Sequence, residues 1–272
     1  MKFQYKSLNI LNLLQNITQV HIKNSSTCVI VLCSVFTELK NQVKRTLFLQ
    51  FILFCTLNSC SLALKLIGKH KIIQRGIFMN NHNKLSRNTQ IYMDNYYSIL
   101  DTMIERMTSQ RPTDSISNDF IVRMIPHHRA AIEMSNNLLN FSNYAPLRKI
   151  AENIIKEQAK SIRDMEKILR HCKTVKSTNR DMQQYQQEYS KIALIMFTKM
   201  ENTPVCNNVN INFIKEMIPH HEGAIRMSQS ALKFDICNRL IPILQAIIQS
   251  QRKGISEMRI LLEKLEKNNG CM

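Results

Sequence analysis

The chain has 272 residues and a formal net charge of +17, with five Gly, six Pro and no Trp. This composition disfavours a turn-rich all-β fold and favours helices. The basic excess is concentrated at the start, because residues 1–90 carry 11 more basic than acidic residues and the rest of the chain only 6 more. Later segments mix charges of both signs along helical stretches, which is typical of a solvated helix face. We therefore expect no nucleic-acid partner.

Residues 1–90 are predicted to form a basic leader. Within it, residues 47–64 contain no charged side chain and are almost long enough to cross a bilayer, with basic residues on both sides. Three interpretations stay open: a transmembrane anchor, a signal segment, or a translation start at Met79. The first two place the protein at the membrane or outside the cytoplasm. The third places it in the cytoplasm.

A duplicated unit follows the leader. Residues 120–135 and 213–228 align without a gap, are identical at 11 of 16 positions, and lie 93 positions apart. Both copies contain the sequence Met-Ile-Pro-His-His. Self-similarity at a fixed spacing indicates a repeated structural module. We therefore predict a duplicated helical bundle over residues 91–272, with repeats at about 91–178 and 184–271.

Each repeat is predicted to contain three helices, because apolar residues recur at three- and four-residue spacing between polar breaks. The first helix begins at Ile91 and ends near Thr108. The second begins near Ser117–Asp119, which are good capping residues, and runs to about Asn140. The third follows the turn Tyr144–Pro146. The second copy repeats the scheme over residues 181–201, 210–234 and 239–267. We predict an all-α fold, most simply a four-helix bundle with two appended helices.

The eight cysteines include no CxxC pair, so the usual spacing of a zinc knuckle is missing from the sequence. Four of them follow the leader, and they do not coincide when the two copies are aligned. Disulfide pairing among these four is left open by the sequence. They are Cys172, Cys206, Cys237 and Cys271.

The chemistry of the repeats lies in histidine and methionine. Each copy has a proline one residue before paired histidines, and a proline inside a helix frees a backbone carbonyl and bends the axis. Adjacent histidines point about 100° apart on a helix, so one can face the bundle while the other reaches a separate position. Methionines keep register with these pairs, although methionine at helical spacing is more often core than ligand.

Imidazole and thioether donors suit copper, with Cu(I) favoured, and imidazole leaves zinc possible. The chain has no Glu-x-x-His pair of the di-iron type. Gln158 and Gln251 are interpreted as helix-bridging or histidine-orienting residues. The candidate metal ligands are His127, His128, His220, His221, Met124, Met217, Met134, Met227, Met103, Met107, Met196 and Met200.

The second copy, with Met-Ile-Pro-His-His followed by Glu-Gly-Ala-Ile-Arg-Met-Ser and later Gln251 and Glu257-Met258-Arg259, resembles the bacterial family called domain of unknown function 305. The first copy departs from it at Arg129-Ala130. The resemblance covers residues 90 to 267. It implies a ferritin-like helical bundle and, for characterised relatives, copper binding and copper tolerance outside the cytoplasm.

Together these features predict a non-enzymatic protein that sequesters copper at Met/His-lined sites. Binding is expected to weaken as the histidines protonate near pH 6. One alternative is a metal-dependent oxidoreductase or hydrolase that uses Glu133, Glu216 or Glu222 as acid or base. Another is a structural, stress-associated bundle without metal. A metal ion is the expected partner, and membrane contact and homo-oligomer formation stay open.

Overall fold

The computed structural model describes residues 85–269 as six α-helices, and no strand occurs in this part of the chain. The predicted all-α class is therefore confirmed. The apolar segment 47–64, the start at Met79 and Cys271 lie outside the described residues. The helices are α1 (Arg87–Thr108), α2 (Ile116–Phe141), α3 (Ala145–Cys172), α4 (Asn179–Glu201), α5 (Val209–Ala231) and α6 (Ile241–Asn269).

The six helices form a bundle of two equivalent halves. Helices α2 and α3 pack as one antiparallel hairpin, and α5 and α6 as the other. The hairpins meet where α2 packs on α5 and α3 on α6, while α1 lies on α2 and α4 on α5. The outer helices also reach the opposite half, since the hydroxyl of Tyr96 in α1 donates to the carbonyl of Met200 in α4 at 3.0 Å. Among the described helices, none has the length and apolar character required to span a membrane.

The helix starts follow local capping chemistry, with small shifts from the predicted boundaries. Ser86 caps α1, so this helix begins four residues before the predicted Ile91. Ser115 caps α2 by accepting from the amide of Asn118, so the cap lies before the predicted Ser117–Asp119. Residue Pro146 occupies the first turn of α3, where its missing N–H has no helical partner to lose.

The loop before each Pro-His-His helix closes in the same way in both halves. In the first half, the carboxylate of Asp119 accepts from the amide of Thr113 at 2.9 Å. In the second, the side chain of Asn212 accepts from the amide of Cys206 at 3.0 Å. Both pairs are related by the 93-residue offset. The duplication therefore extends from the helices to the loops that position them.

One disulfide joins the two halves. It links Cys172, the last residue of α3, to Cys237 in the loop before α6, and both cysteines are buried. The same end is tied to the start of α2, because Ser115 donates to the carbonyl of Cys172 and Ser117 accepts from the amide of Cys237. The positions equivalent to the two cysteines are occupied by Leu265 and Tyr144. This cysteine pair is therefore not duplicated in the other half.

Candidate metal site

The four histidines of the repeated motif lie in the interior of the bundle. Helices α2 and α5 continue through Pro126 and Pro219, and each proline is followed directly by the histidine pair. The relative exposure is 0% for His127, His128 and His220 and 2% for His221. A fully buried imidazole is normally neutral and needs a partner for each ring nitrogen. What those nitrogens contact therefore decides the chemistry of the site.

The first histidine of each pair meets its counterpart across the α2–α5 contact. The rings of His127 and His220 lie 3.7 Å apart between centroids with an interplanar angle of 31°. The Nε2 of His220 lies 3.1 Å from the backbone carbonyl of His127 and donates to it. Because imidazole lone pairs lie in the ring plane, the stacked faces do not direct donor atoms at each other.

A methionine of the opposite repeat completes the environment of His127. Its Nε2 lies 3.3 Å from the Sδ of Met196 on α4. Met196 reaches this position because Gly223 on α5 has no side chain: a Cβ there would collide with the Met196 sulfur. At the equivalent position the first half has Ala130. The imidazole–thioether contact thus joins the two repeats.

The second histidine of each pair points to the other helix of its own hairpin. In the first half, the Nε2 of His128 lies 3.1 Å from the hydroxyl of Ser161 on α3. In the second, the ring of His221 lies against Gly254 on α6, the position equivalent to Ser161. The two adjacent imidazoles of each pair are 5.9 Å apart between centroids. They therefore diverge to different surroundings, as the helical geometry predicts.

Burial keeps all four imidazoles neutral at physiological pH. It lowers the pKa of His220 to about 4 and that of His128 to about 3. The pKa values of His127 and His221 lie well below their usual range, first because of burial and then because of neighbouring imidazoles. Protonation near pH 6, expected from an ordinary histidine, is therefore wrong for this interior. The lone pairs stay available at distinctly lower pH.

Several buried polar atoms in this region have no protein partner, and they occur in equivalent positions. The Nδ1 atoms of all four histidines belong to this group. So do the Oε1 atoms of Gln158 and Gln251, whose side chains are 4% and 2% exposed. Unpartnered buried acceptors are uncommon in folded proteins and often mark a bound water, ion or ligand. The two glutamines were expected to bridge helices or orient imidazoles; within the described residues their Oε1 atoms accept no hydrogen bond, and the expected role stays a prediction.

All eight methionines predicted as ligands are buried, with relative exposures of 2% or less. Met196 is the one among them whose sulfur lies within hydrogen-bonding distance of an imidazole in the described residues. The other seven belong to the hydrophobic core, which is the ordinary role of methionine at helical spacing. They are Met103, Met107, Met124, Met134, Met200, Met217 and Met227.

The comparison with known protein families agrees with the motif. The family described as "Domain of unknown function (DUF305)" matches residues 117–262, which is more than half of the chain. The chain belongs to the DUF305 family. It is similar to the crystal structure of a DUF305 fragment from Deinococcus radiodurans, with 22% identity and a TM-score of 0.43, covering 57% of this chain and 100% of the fragment. No curated protein matches this chain.

The carboxylates of this DUF305 chain do not converge on the histidines. Within residues 85–269, no group of three or more His, Cys, Asp or Glu side chains has the arrangement of a metal site. Glu133 is exposed, and Glu222 forms surface ion pairs with Lys199 and Arg259. An ion at the histidines would therefore require thioether ligands, backbone carbonyls or pairs of imidazoles.

Glu216 is the buried exception among the carboxylates considered for an acid or base. It is 1% exposed, and the Tyr92 hydroxyl donates to its Oε2 at 2.8 Å. Burial raises the pKa of Glu216 to about 8 despite that hydrogen bond. The equivalent position holds Arg123, which pairs with Asp119 at 3.4 Å and lies 4.8 Å from the ring centroid of Tyr189. The two halves of the DUF305 bundle therefore differ in charge at this position while keeping the same helices.

Three residues that shape this site were not recognised from the sequence: Ser161, Gly223 and Gly254. Each differs between the two copies of the duplicated unit, where Gly223 replaces Ala130 and Gly254 replaces Ser161. In a DUF305 chain whose histidines are identical in both halves, such differences determine what each imidazole contacts. Comparison of the two copies over the whole aligned repeat, including the partner helix of each hairpin, is the signal that would have found them.

Proposed function

We propose that this DUF305 protein sequesters copper, with Cu(I) favoured, as a cargo bound by imidazole and thioether donors inside the bundle. The observation that carries the proposal is the pair of His127 Nε2 and Met196 Sδ at 3.3 Å, inside a buried cluster of neutral imidazoles. Two ligands on one ion, with bonds of about 2.0 Å to nitrogen and about 2.3 Å to sulfur, have a comparable separation. Thioether and imidazole together select a soft metal over Mg²⁺, Ca²⁺ or iron in carboxylate sites.

The unpartnered nitrogens support the same proposal. The Nε2 of His220 donates to a backbone carbonyl, so its buried Nδ1 keeps a lone pair that has no protein partner among the described residues, which lowers stability unless a ligand binds it. Metal binding to neutral imidazole would recover that free energy, and burial keeps the imidazoles neutral. Zinc, which also takes imidazole, is the competing ion. It would gain little from the Met196 thioether.

Copper binding is tested by competition for Cu(I) between the purified full-length protein and a chromogenic chelator. We expect wild-type protein to bind Cu(I) with a Kd of about 1 μM or tighter, and Met196→Leu, which keeps side-chain volume, to weaken binding by roughly tenfold or more. Met182→Leu on the same helix and His171→Ala on an exposed position are the matched controls. If wild type leaves the chelator complex intact, or if Met196→Leu binds like Met182→Leu, the proposed site is wrong.

Gly223→Ala tests the position of the thioether without removing it. The added methyl group would collide with the Met196 sulfur, while alanine improves helix propensity by about 1 kcal/mol. Copper affinity is expected to fall by up to the roughly tenfold predicted for Met196→Leu, with melting temperature nearly unchanged. Ala130→Gly is the reciprocal control, which should lower the melting temperature and leave copper affinity as it is. If Gly223→Ala left copper affinity unchanged while Ala130→Gly weakened it, Met196 would not act as a ligand.

We also infer that the protein acts outside the cytoplasm. The buried disulfide between Cys172 and Cys237 supports this location, because disulfides persist in oxidising compartments and are rare in cytosolic proteins. Thiol alkylation of intact cells before lysis tests the inference. Cys172 and Cys237 should resist alkylation until a reductant is added, and alkylation without reductant would contradict it.

A further inference from the structure

The two halves of the bundle differ in how they enclose the second histidine. In the first half, the hydroxyl of Ser161 lies 3.1 Å from the Nε2 of His128. In the second half, Gly254 occupies the equivalent position and contributes no side chain. A Cβ at Gly254 would lie 3.2 Å from the Nε2 and Cδ2 of His221, so the edge of this ring faces the bare backbone of α6. The Nε2 of the second histidine therefore contacts a serine hydroxyl in the first half and faces a glycine in the second.

A small cavity lies at this open edge. It encloses about 20 Å³ between α3 and α6 and is lined by His221, Gly254, Gln158 and Gln251 among others. That volume holds a single water-sized particle. The Oε1 atoms of both glutamines have no protein partner, and these side chains are more than nine-tenths buried. The cavity thus has space for one small ligand, and two of the residues that line it each have a side-chain oxygen without a hydrogen-bond partner among the described residues.

The rim of the cavity favours a cation. Its charged lining consists of two carboxylates, those of Glu157 and Glu257, and one ammonium group, that of Lys253. Lys253 approaches Glu257 only to 3.9 Å, and the two side chains are 70% and 42% exposed, so this pair is weak and leaves the carboxylates available. Carboxylates at the mouth of a cleft raise the local concentration of cations.

From this edge a line of imidazoles leads to the interior. The ring of His221 lies 5.9 Å from that of His220, which is stacked at 3.7 Å on His127. His127 in turn contacts the sulfur of Met196. The imidazole rings of His221, His220 and His127 therefore lie in sequence between the cavity and the Met196 sulfur. In the first half, the corresponding Nε2 atom belongs to His128 and lies 3.1 Å from the hydroxyl of Ser161.

We propose that the cavity at Gly254 is the loading port of the bundle, where a single copper ion first binds the Nε2 of His221. This inference rests on the proposed copper function and adds that only the second half admits the ion. Closing a port slows entry and exit by the same factor, because both follow one path. It therefore changes the rates and leaves the equilibrium affinity unchanged.

Gly254→Ser tests the port by copying the first half, since a serine hydroxyl would cap the Nε2 of His221 as Ser161 caps that of His128. The probe is Cu(I) presented as its complex with a chromogenic chelator, and transfer to the full-length protein is followed by stopped-flow absorbance. We expect loading and release to slow by about fivefold or more, the effect of one added hydrogen bond, with Kd changed less than twofold. Ser161→Gly is the matched control in the other half, and it should not slow loading.

The outcomes separate the port from the copper function. If wild-type protein does not take up Cu(I), both proposals fail. If Gly254→Ser loads at the wild-type rate, or if its Kd weakens as much as its loading slows, the port is wrong while copper binding stands. Gly254→Ala adds a methyl group without a hydroxyl, and a rate between those of wild type and Gly254→Ser supports the port even if Gly254→Ser folds poorly. A Gly254→Ala rate equal to wild type would overturn it.

Discussion

Acidification of the metal-free protein from pH 7 towards pH 4 is expected to unfold it cooperatively, because four imidazoles are buried in their neutral form. Burial lowers the pKa of His220 to about 4 and of His128 to about 3, and His127 and His221 shift in the same direction. In the unfolded chain these groups titrate at the ordinary histidine pKa of 6.5. Between pH 6.5 and the lowered pKa values of the folded state, the unfolded chain binds more protons than the folded protein. The free energy of unfolding therefore decreases as pH falls.

The loss of stability caused by the four histidines on acidification exceeds the opposing contribution of Glu216. Each histidine loses about 1.4 kcal/mol of stabilisation per pH unit below 6.5. The pKa of Glu216 is raised from 4.5 to about 8 in the folded state. Its contribution to the free energy of unfolding is therefore lost as pH rises and regained on acidification, which is opposite in sign to the contribution of the histidines. The net slope between pH 6.5 and 4.5 is that of about three histidines, or roughly 4 kcal/mol per unit. A domain stable by about 10 kcal/mol would then unfold near pH 4.

Circular dichroism at the helix band, measured against pH in metal-free buffer with a chelator, checks this expectation. Replacing His128 and His221 by glutamine removes two of the four titrating groups and should shift the midpoint to lower pH. His171→Ala removes an exposed histidine and should leave it unchanged. Native helicity of the wild type at pH 3 would contradict the burial argument. A midpoint of the double variant equal to that of wild type would do the same.

Hydrophobic periodicity was sufficient to predict the helices of this chain, because each core helix buries one continuous stripe. It was less reliable at helix ends, where a single side chain such as Ser86 or Ser115 sets the first turn. The divergence of the two histidines in each pair also followed from the sequence, whereas the burial of both did not. The depression of their pKa values did not, because it depends on burial from every side.

Contacts between repeats were beyond the reach of the sequence. The pairing of His127 with Met196 depends on how closely α4 approaches α2, and that distance is set by the glycine at position 223. Periodicity places methionines on the correct face of a helix but does not select the one that reaches an imidazole. For the same reason, all eight candidate methionines are core residues, and Met196 alone among them lies within hydrogen-bonding distance of an imidazole in the described part of the chain. Their role as ligands stays a prediction.

Breaking the disulfide between Cys172 and Cys237 is expected to produce a second large loss of stability. The bond closes a loop with a sequence separation of 65 residues. In the chain-entropy account, a loop of this length stabilises the folded state by about 4 kcal/mol relative to the unfolded chain. For a domain of this size, the corresponding decrease in melting temperature is roughly 10 °C.

The double variant Cys172→Ala/Cys237→Ala, compared with oxidised wild type by thermal and urea unfolding, measures that loss. Each single alanine variant already breaks the bond, so each should lose most of what the double variant loses. Losses that simply add would show that the two cysteines stabilise the fold by packing and not through their bond.

The disulfide and the proposed copper ligands stabilise different parts of the molecule. The disulfide ties α3 to the loop before α6 and, through Ser115 and Ser117, to the start of α2. His127 lies three turns further along that helix, where its contacts are His220 and Met196. Copper affinity of the disulfide variant should therefore remain within about twofold of wild type well below the melting temperature, since distant sites act nearly independently. A parallel loss of affinity and stability would instead mean that the disulfide end of the bundle holds the histidines in register.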